Sequence, residues 1–320
     1  GTLEFFDGVS WKTVNSYARY SGGGAGRGVF PGGAGPSATS SIDYINISTQ
    51  GNALYFGSLD TATQNVSKAS SEIRGIVYGG SATTTSMDYI TIAAGGNAID
   101  FGTCTASHSA GGCSSSTRAV FGGGADPGLT NHIEYIQINT LGNGAEFGDL
   151  TQTRAELGGV SSPTRGVFAG GGAPSGSAPS STIDFITIAS IGDAIDFGDL
   201  IDRCGQLGGG CGNFTRGLFA GGAHSPKFLN IIQYITIATT GNATYFGDMS
   251  IPRVEQAGAA SNSTRGTLVG GQAPGGDVNS IEYVTIASTG NAQDFGDLTV
   301  PKSRIGGGQI SDSHGGLGGF

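Results

Sequence analysis

An arginine that opens a short apolar run returns six times along the chain, at Arg27, Arg74, Arg118, Arg165, Arg216 and Arg265. A phenylalanine follows each one, at Phe56, Phe101, Phe147, Phe197, Phe246 and Phe295. The first and last of these arginines lie 238 residues apart over five intervals, a period near 48. A period of that size marks a supersecondary unit that buries its apolar faces only by stacking on its own copies. Whatever the chain does, it must first fold as an array.

The copy that opens at Arg165 shows the unit. GVFAGG (Gly166 to Gly171) is a short strand ending in glycines. A loop of variable length follows, rich in Gly, Pro, Ala and Ser. Next come a β-branched strand at Ile183 to Ile188, a Gly192-Asp193 turn and a strand ending at Asp196-Phe197-Gly198. Turn residues between such runs read as antiparallel hairpins, about four short strands per unit and no helix. Ile183 and Phe185 point one way, Ile186 and Ile188 the other, so the strand is apolar on both faces. A sheet with one wet face would alternate. These sheets are covered on both sides, as blades stacked around an axis are.

The ends of the chain predict how the array closes. Residues 1–26 hold a hairpin, LEFFDGVSWKTV (Leu3 to Val14), turning at Asp7-Gly8, in place of the middle strands of a unit. Residues 305–320 end in SHGGLGGF, which imitates the opening of a seventh unit. We expect residues 1–320 to form a single all-β propeller of seven four-stranded blades, with residues 1–26 and 305–320 sharing the closing blade. Closure removes the open edges that would otherwise aggregate. Six blades plus tails is the alternative. The chain opens on Gly1 and stops inside a repeat, so we expect a fragment or a processed chain.

Composition narrows the function classes. The 61 glycines among 320 residues carry no collagen triplet, and strands are visible throughout, so this is a Gly-rich β protein. The net charge of −9 speaks against nucleic acid, whose phosphates need a basic surface. No apolar run reaches the roughly 20 residues of a membrane helix.

The residues that carry chemistry fall into the repeat. Six of the eleven arginines open units, and Arg154, Arg203, Arg253 and Arg304 follow the Phe-Gly pair. Asp43, Asp88, Glu134, Asp184 and Glu282 form one acidic column; Asp149, Asp199, Asp248 and Asp297 form another. A catalytic site occurs once per chain, whereas these charges occur once per blade, so we read them as turn caps and ion pairs. His108, His132, His224 and His314 share no metal spacing and read as loop or surface histidines. Cys104, Cys113, Cys204 and Cys211 form no CxxC pair and read as small buried thiols. No glycine run continues into GK[ST], which removes the phosphate-loop reading. No catalytic, cofactor-binding or metal-binding residue is assigned.

A run ending in Gly-Gly and then an aromatic (Tyr44, Tyr89, Tyr135, Phe185, Tyr234, Tyr283), on this period, resembles kelch repeats. The fuller pattern, TRGVFAGG followed by IDYITIASTGNATDFGDLT, resembles repeats in virion structural proteins of tailed bacteriophages, especially marine ones infecting cyanobacteria. That resemblance covers nearly the whole chain. It implies a non-enzymatic structural or adsorption protein of the virion (tail, fibre or capsid-associated), assembled in the host cytoplasm. Its partners would be other virion proteins and a host-surface glycan or receptor. A glycan-binding propeller is the alternative, and a propeller enzyme of the galactose-oxidase or sialidase type ranks below it. Variable loops on a rigid scaffold are where recognition concentrates. The loop His224 to Leu229 stands out, because Lys227, Phe228 and Leu229 replace the Gly, Ser and Pro of sister loops. An exposed apolar pair there would mark a contact surface.

Overall fold

The computed structural model describes residues 3–6, 11–14, 26–81, 85–105, 108–125, 128–172, 178–255 and 258–318. Six antiparallel sheets follow one another along the chain, each running outward from a common axis. Blade 1 contains Arg27–Pro31, Thr39–Asn46 and Leu54–Thr63. Blade 2 is Ser67–Ser70, Arg74–Tyr78, Ser86–Thr91 and Ile99–Thr103. Blades 3 to 6 repeat this plan from inner strands Gly111–Ser114, Gly158–Ser161, Gly210–Gly212 and Gly258–Ser261. The fold is an all-β propeller, and among the described residues no helix is long and apolar enough to cross a membrane.

The inner strands carry glycine because they meet backbone to backbone. A Cβ on Gly112 would lie 2.1 Å from the carbonyl oxygen of Lys68, and one on Gly159 would lie 2.1 Å from that of Gly112. No side chain fits at such a separation. Farther out, apolar residues from adjacent blades interlock. Cys113, Val120 and Phe147 of blade 3 pack with Phe168, Ile186 and Ile188 of blade 4. Equivalent clusters lie at every blade boundary, including the one between Phe295 of blade 6 and Ile45 of blade 1. The core is thus six inter-blade layers. All four cysteines are free and buried within or beside them, which agrees with their reading as small thiols, and burial pushes Cys204 and Cys211 up to about 12.

The repeat arginines brace these layers. Each guanidinium lies 4.3–4.7 Å over the centre of an aromatic ring of its own blade. Its Nη1 donates to the carbonyl of an isoleucine in the next blade, at 2.8–3.1 Å. On the outer rim, the glycine of each Gly-Asn or Gly-Asp turn donates its N–H to the repeat phenylalanine carbonyl of the preceding blade, as Gly96 does to Phe56 at 2.9 Å. Both series run through blades 1 to 6 and return: Arg265 of blade 6 reaches Ile47 of blade 1 at 2.9 Å, and Gly51 of blade 1 reaches Phe295 of blade 6 at 2.9 Å.

That return corrects the expected count: among the described residues the ring closes on six blades, not seven, with blade 6 bonded directly to blade 1. The C-terminal segment does complete a blade, but the blade is the first. Val29 N donates to Ile310 O at 3.0 Å, and Gly28 bridges Ser311 in antiparallel sense, so this segment is the inner strand of blade 1. The resemblance of SHGGLGGF to a unit opening misled because the tail turns into a short 3-10 helix, Gly315–Leu317, instead of extending. At the other end, Leu3–Phe6 pairs with Trp11–Val14 as a hairpin separate from the six sheets. The rest of residues 1–25, and so the expected role of 1–26 in a shared blade, lies outside the described residues.

Replacing Arg165 by alanine removes a stack on Phe185 and a charged hydrogen bond to Ile237 O. It should lower stability by about 2 kcal/mol, and lysine should not restore it because it lacks the planar face. Denaturant unfolding reads both; an unchanged midpoint for the alanine variant would contradict the bracing role.

Candidate functional site at the axial mouth

Antiparallel strands alternate in direction, so two sets of segments share one face of the disc. These are the loops between second and third strands and the connectors that lead into the next inner strand. Backbone bridges tie them together, for instance Ala155 with Gly172, Gly205 with Ala223 and Ala34 with Ser303. The variable loops therefore encircle the end of the axis. Several of their residues, 82–84, 126–127 and 173–177, lie outside the described set.

Six connectors each place one non-glycine residue in the left-handed region: Asn65, Ser109, Glu156, Gln206, Glu255 and Arg304, with φ between 47° and 61°. Side chains pay a penalty there of roughly 1–3 kcal/mol. A ring of backbone hydrogen bonds holds them. Ser109 N donates to Asn65 O at 2.8 Å, Glu156 N to Ser109 O at 2.7 Å and Arg304 N to Glu255 O at 2.9 Å, and Asn65 N closes the circle on Arg304 O at 2.6 Å. Between Glu156 and Gln206 the donor is Leu207 N, at 3.1 Å.

This ring lines a cavity of about 20 Å³, the space of one water, floored by Gly306 and Gly307. Glu255 is fully engaged: Gln206 Nε2 donates to Oε1 at 2.9 Å and Arg304 Nε to Oε2 at 2.7 Å. Glu156 is not, since its Oε2 is sealed from solvent with no partner. Burial first, then the charge of Glu255, pushes the Glu156 carboxyl up to about 7. Near neutral pH the carboxyl is partly protonated and has both a donor and an acceptor to offer. The mouth thus offers carboxyl, carboxylate, guanidinium, amide and hydroxyl groups, one from each blade boundary, with no two neighbours alike. Between blades 6 and 1 a larger cleft of about 760 Å³ opens beside it, lined by Pro36, Thr39, Asp277, Val300 and Pro301 among others.

Below the mouth, one register row of the inner strands holds Lys68, Gly112, Gly159, Gly210 and Ala259, opposite Val77, Phe121, Phe168, Phe219 and Leu268 of the second strands, with Gln309 at the corresponding place of the C-terminal segment. Lys68 is the one long aliphatic chain in this inner row. It is wholly buried, and its Nζ reaches blade 6, where a Cβ on Gly258 would lie 2.6 Å away. That amine has no hydrogen-bond partner, and desolvation lowers its pKa to about 7.

The charge columns expected from the sequence are partly redistributed. Arg154 pairs with Asp184 at 2.6 Å and Arg253 with Glu282, both buried at blade boundaries. Arg203 and Arg304 do not belong to that column: Arg203 is exposed, and its place is taken by Cys204, facing a neutral Gln233 position. Lys302 stands where Arg304 was expected and pairs with Asp43 at 2.9 Å. Glu134 accepts instead from Tyr78 Oη at 2.5 Å and Thr105 Oγ1 at 3.0 Å. Asp88 gains no cation; burial, then Asp100 and Asp60, raise it to about 6. The second acidic column acts chiefly through its backbone, as where Asp199 N donates to Asn242 Oδ1 at 3.0 Å.

The contact loop is also revised. Ala223–His224 and Lys227–Phe228 form a small hairpin on the loop face. Leu229 is buried in the layer between blades 4 and 5, Phe228 is half-buried and only Lys227 is exposed. The expected exposed apolar pair therefore does not exist, because Leu229 N is drawn inward to Gly222 O at 2.9 Å. His108, His132 and His224 are partly exposed as expected, whereas His314 is buried. The axial ring was missed in the sequence, although a signal was there: a polar residue of changing identity, followed by an apolar one at five of the six positions, stands shortly before each inner strand.

A closed β-propeller with a polar, symmetry-broken mouth amid its variable loops is the class that fold and site define. No protein-family model matches the chain, and no curated protein matches it closely enough to count as a relative.

Lys68→Met should stabilise the ring at pH 7. The folded state keeps the amine neutral down to about pH 7, while the unfolded chain protonates it below its ordinary 10.5. The penalty is therefore full below pH 7 and vanishes as pH rises through 10.5, a linkage of a few kcal/mol at most. Denaturant melts at pH 7 and pH 10 should show a gain that shrinks at the higher pH. A destabilised variant at pH 7 would mean that the amine is satisfied.

Proposed function

We propose that this chain is a non-enzymatic recognition scaffold of a bacteriophage virion, a tail-, fibre- or capsid-associated ring that presents its loop face to other virion proteins or to the host surface. The carrying observation is the division of its charges. Those that recur are engaged in holding blade to blade. Those that differ from blade to blade collect at the axial mouth. A partner without the ring's pseudo-symmetry needs a face that lacks it too. The repeat pattern's resemblance to virion structural proteins supports the setting.

A second reading, a glycan-binding propeller, is favoured by one observation. The mouth sets Glu156, Gln206, Asn65 and Arg304 side by side, the polar groups that hydroxyl-rich ligands engage.

Two variants of the ring separate these readings, Lys227→Glu on the loop face and Glu156→Gln with Arg304→Gln at the mouth. Both should keep native melting. Reduced adsorption to host cells or reduced incorporation into particles supports the virion scaffold. Saturable binding on a glycan array that only the mouth variant abolishes supports the second reading. Particles and adsorption unaffected by either variant would sink the loop-face assignment.

A further inference from the structure

The far end of the axis is closed by the chain's own C-terminus. Beyond the strand that completes blade 1, the turn Gly315–Leu317 sits on the ends of the inner strands. A Cβ on Gly316 would lie 1.9 Å from Ser114 O, and one on Gly315 would lie 2.4 Å from Asn213 O, so backbone packs directly on blades 3 and 5. His314 caps this turn. Its Nδ1 accepts the N–H of Gly316 at 3.1 Å, and its Nε2 lies 3.0 Å from Ser70 O and 3.4 Å from Ser114 Oγ.

These partners dictate one protonation state. An amide N–H only donates, so Nδ1 must be bare. A carbonyl only accepts, so Nε2 must carry the hydrogen. The imidazole is therefore neutral, with both nitrogens satisfied and the ring 1% exposed. A second proton would have to go on Nδ1, against the N–H that this nitrogen now accepts.

We propose that His314 is a proton-sensitive latch: neutral, it seats the C-terminal turn on the ends of the inner strands, and protonated, it releases the turn and loosens the strand that closes the ring. The groups facing it from the inner strands are the hydroxyl of Ser114 and backbone carbonyls. Among the described residues no charged side chain contributes to its titration, and burial lowers its pKa to about 4. On the same segment, Asp312 Oδ1 accepts the N–H of Arg27 at 2.9 Å; burial raises the Asp312 carboxyl, so proton uptake there favours the docked segment and runs against the His314 linkage. Between them, Ser311 ties the closing strand to blades 2 and 6 through Ser70 Oγ at 3.0 Å and Ser261 O at 2.7 Å.

The sign follows. The folded state keeps the imidazole neutral and the released tail has an ordinary histidine, so docking is complete above pH 6.5 and is lost as pH falls from there through about 4. The whole chain, labelled with a fluorophore at its C-terminus, is titrated from pH 8 to 4 while anisotropy and far-ultraviolet circular dichroism are recorded. Anisotropy should fall with a midpoint between pH 6.5 and 4 while the sheet signal persists. His314→Asn keeps an acceptor for Gly316 N–H without a titrating group in this range, and His314→Gln keeps a donor for Ser70 O. The midpoint should vanish in at least one of them. An anisotropy constant down to pH 4, the same midpoint in both variants, or a drop coincident with loss of the sheet signal would overturn the latch.

Discussion

Six inner strands converge on one axis at a separation that leaves no room between their backbones. Where a Cβ on Gly112 or Gly159 would meet a neighbouring carbonyl at 2.1 Å, only hydrogen is admissible. Glycine at these inner positions follows from the crowding, whereas rim-turn glycines such as Gly96 and Gly192 have open space and are set by their positive φ. Fixing the radius in this way fixes the angle between blades, and with it the number that completes the circle. The arginine braces and rim turns then lock an angle that the inner strands have already set.

The same crowding accounts for the odd residues near the axis. Three glycines share the inner row with Lys68, whose buried amine lies without a partner. Gln309, arriving from the C-terminus, is satisfied by Ser261 Oγ at 2.7 Å. The connectors entering so tight a ring must turn sharply, and the six left-handed residues of the mouth make that turn. Their side chains project where nothing repeats. Strain, polar side chains of differing kind and loop variability thereby fall on one face, while the tail packs on the opposite end of the axis.

Much of this was legible in the sequence because it repeats. The strands, hairpins, Gly-Asn turns and arginine–aromatic columns recur in register, so each copy confirms the others, and the two-faced burial of Ile183 to Ile188 follows from its pattern alone. The blade count was not legible, because a half-unit at either end of a string reads the same whether it builds a new blade or completes an existing one. The pairing of Ile310 with Val29 is a contact over nearly the whole chain length, and no local pattern encodes it. The Arg203 and Arg304 assignments failed for a smaller reason: Arg154, Cys204, Arg253 and Lys302 all stand seven residues after the repeat phenylalanine, whereas Arg203 stands six and Arg304 nine after it, so grouping arginines that follow Phe-Gly merged different register positions. Leu229 was misplaced because a large apolar residue in a loop reads alike whether it faces solvent or its own blade.

The buried pairs at blade boundaries have a consequence for how such a ring diversifies. Arg154 belongs to one repeat and Asp184 to the next, as do Arg253 and Glu282, and Lys302 and Asp43. Where blades 4 and 5 meet, both positions are neutral, Cys204 and Gln233. The polarity of a seam is therefore a shared property of two repeats. The units look like interchangeable beads, yet a blade moved elsewhere in the order would carry half of one seam and meet half of another, stranding a buried charge at a cost of about 3–5 kcal/mol. Cutting the circle open at a different seam disturbs none of these pairings. The chain thus tolerates a change in where it begins far better than a change in the order of its blades.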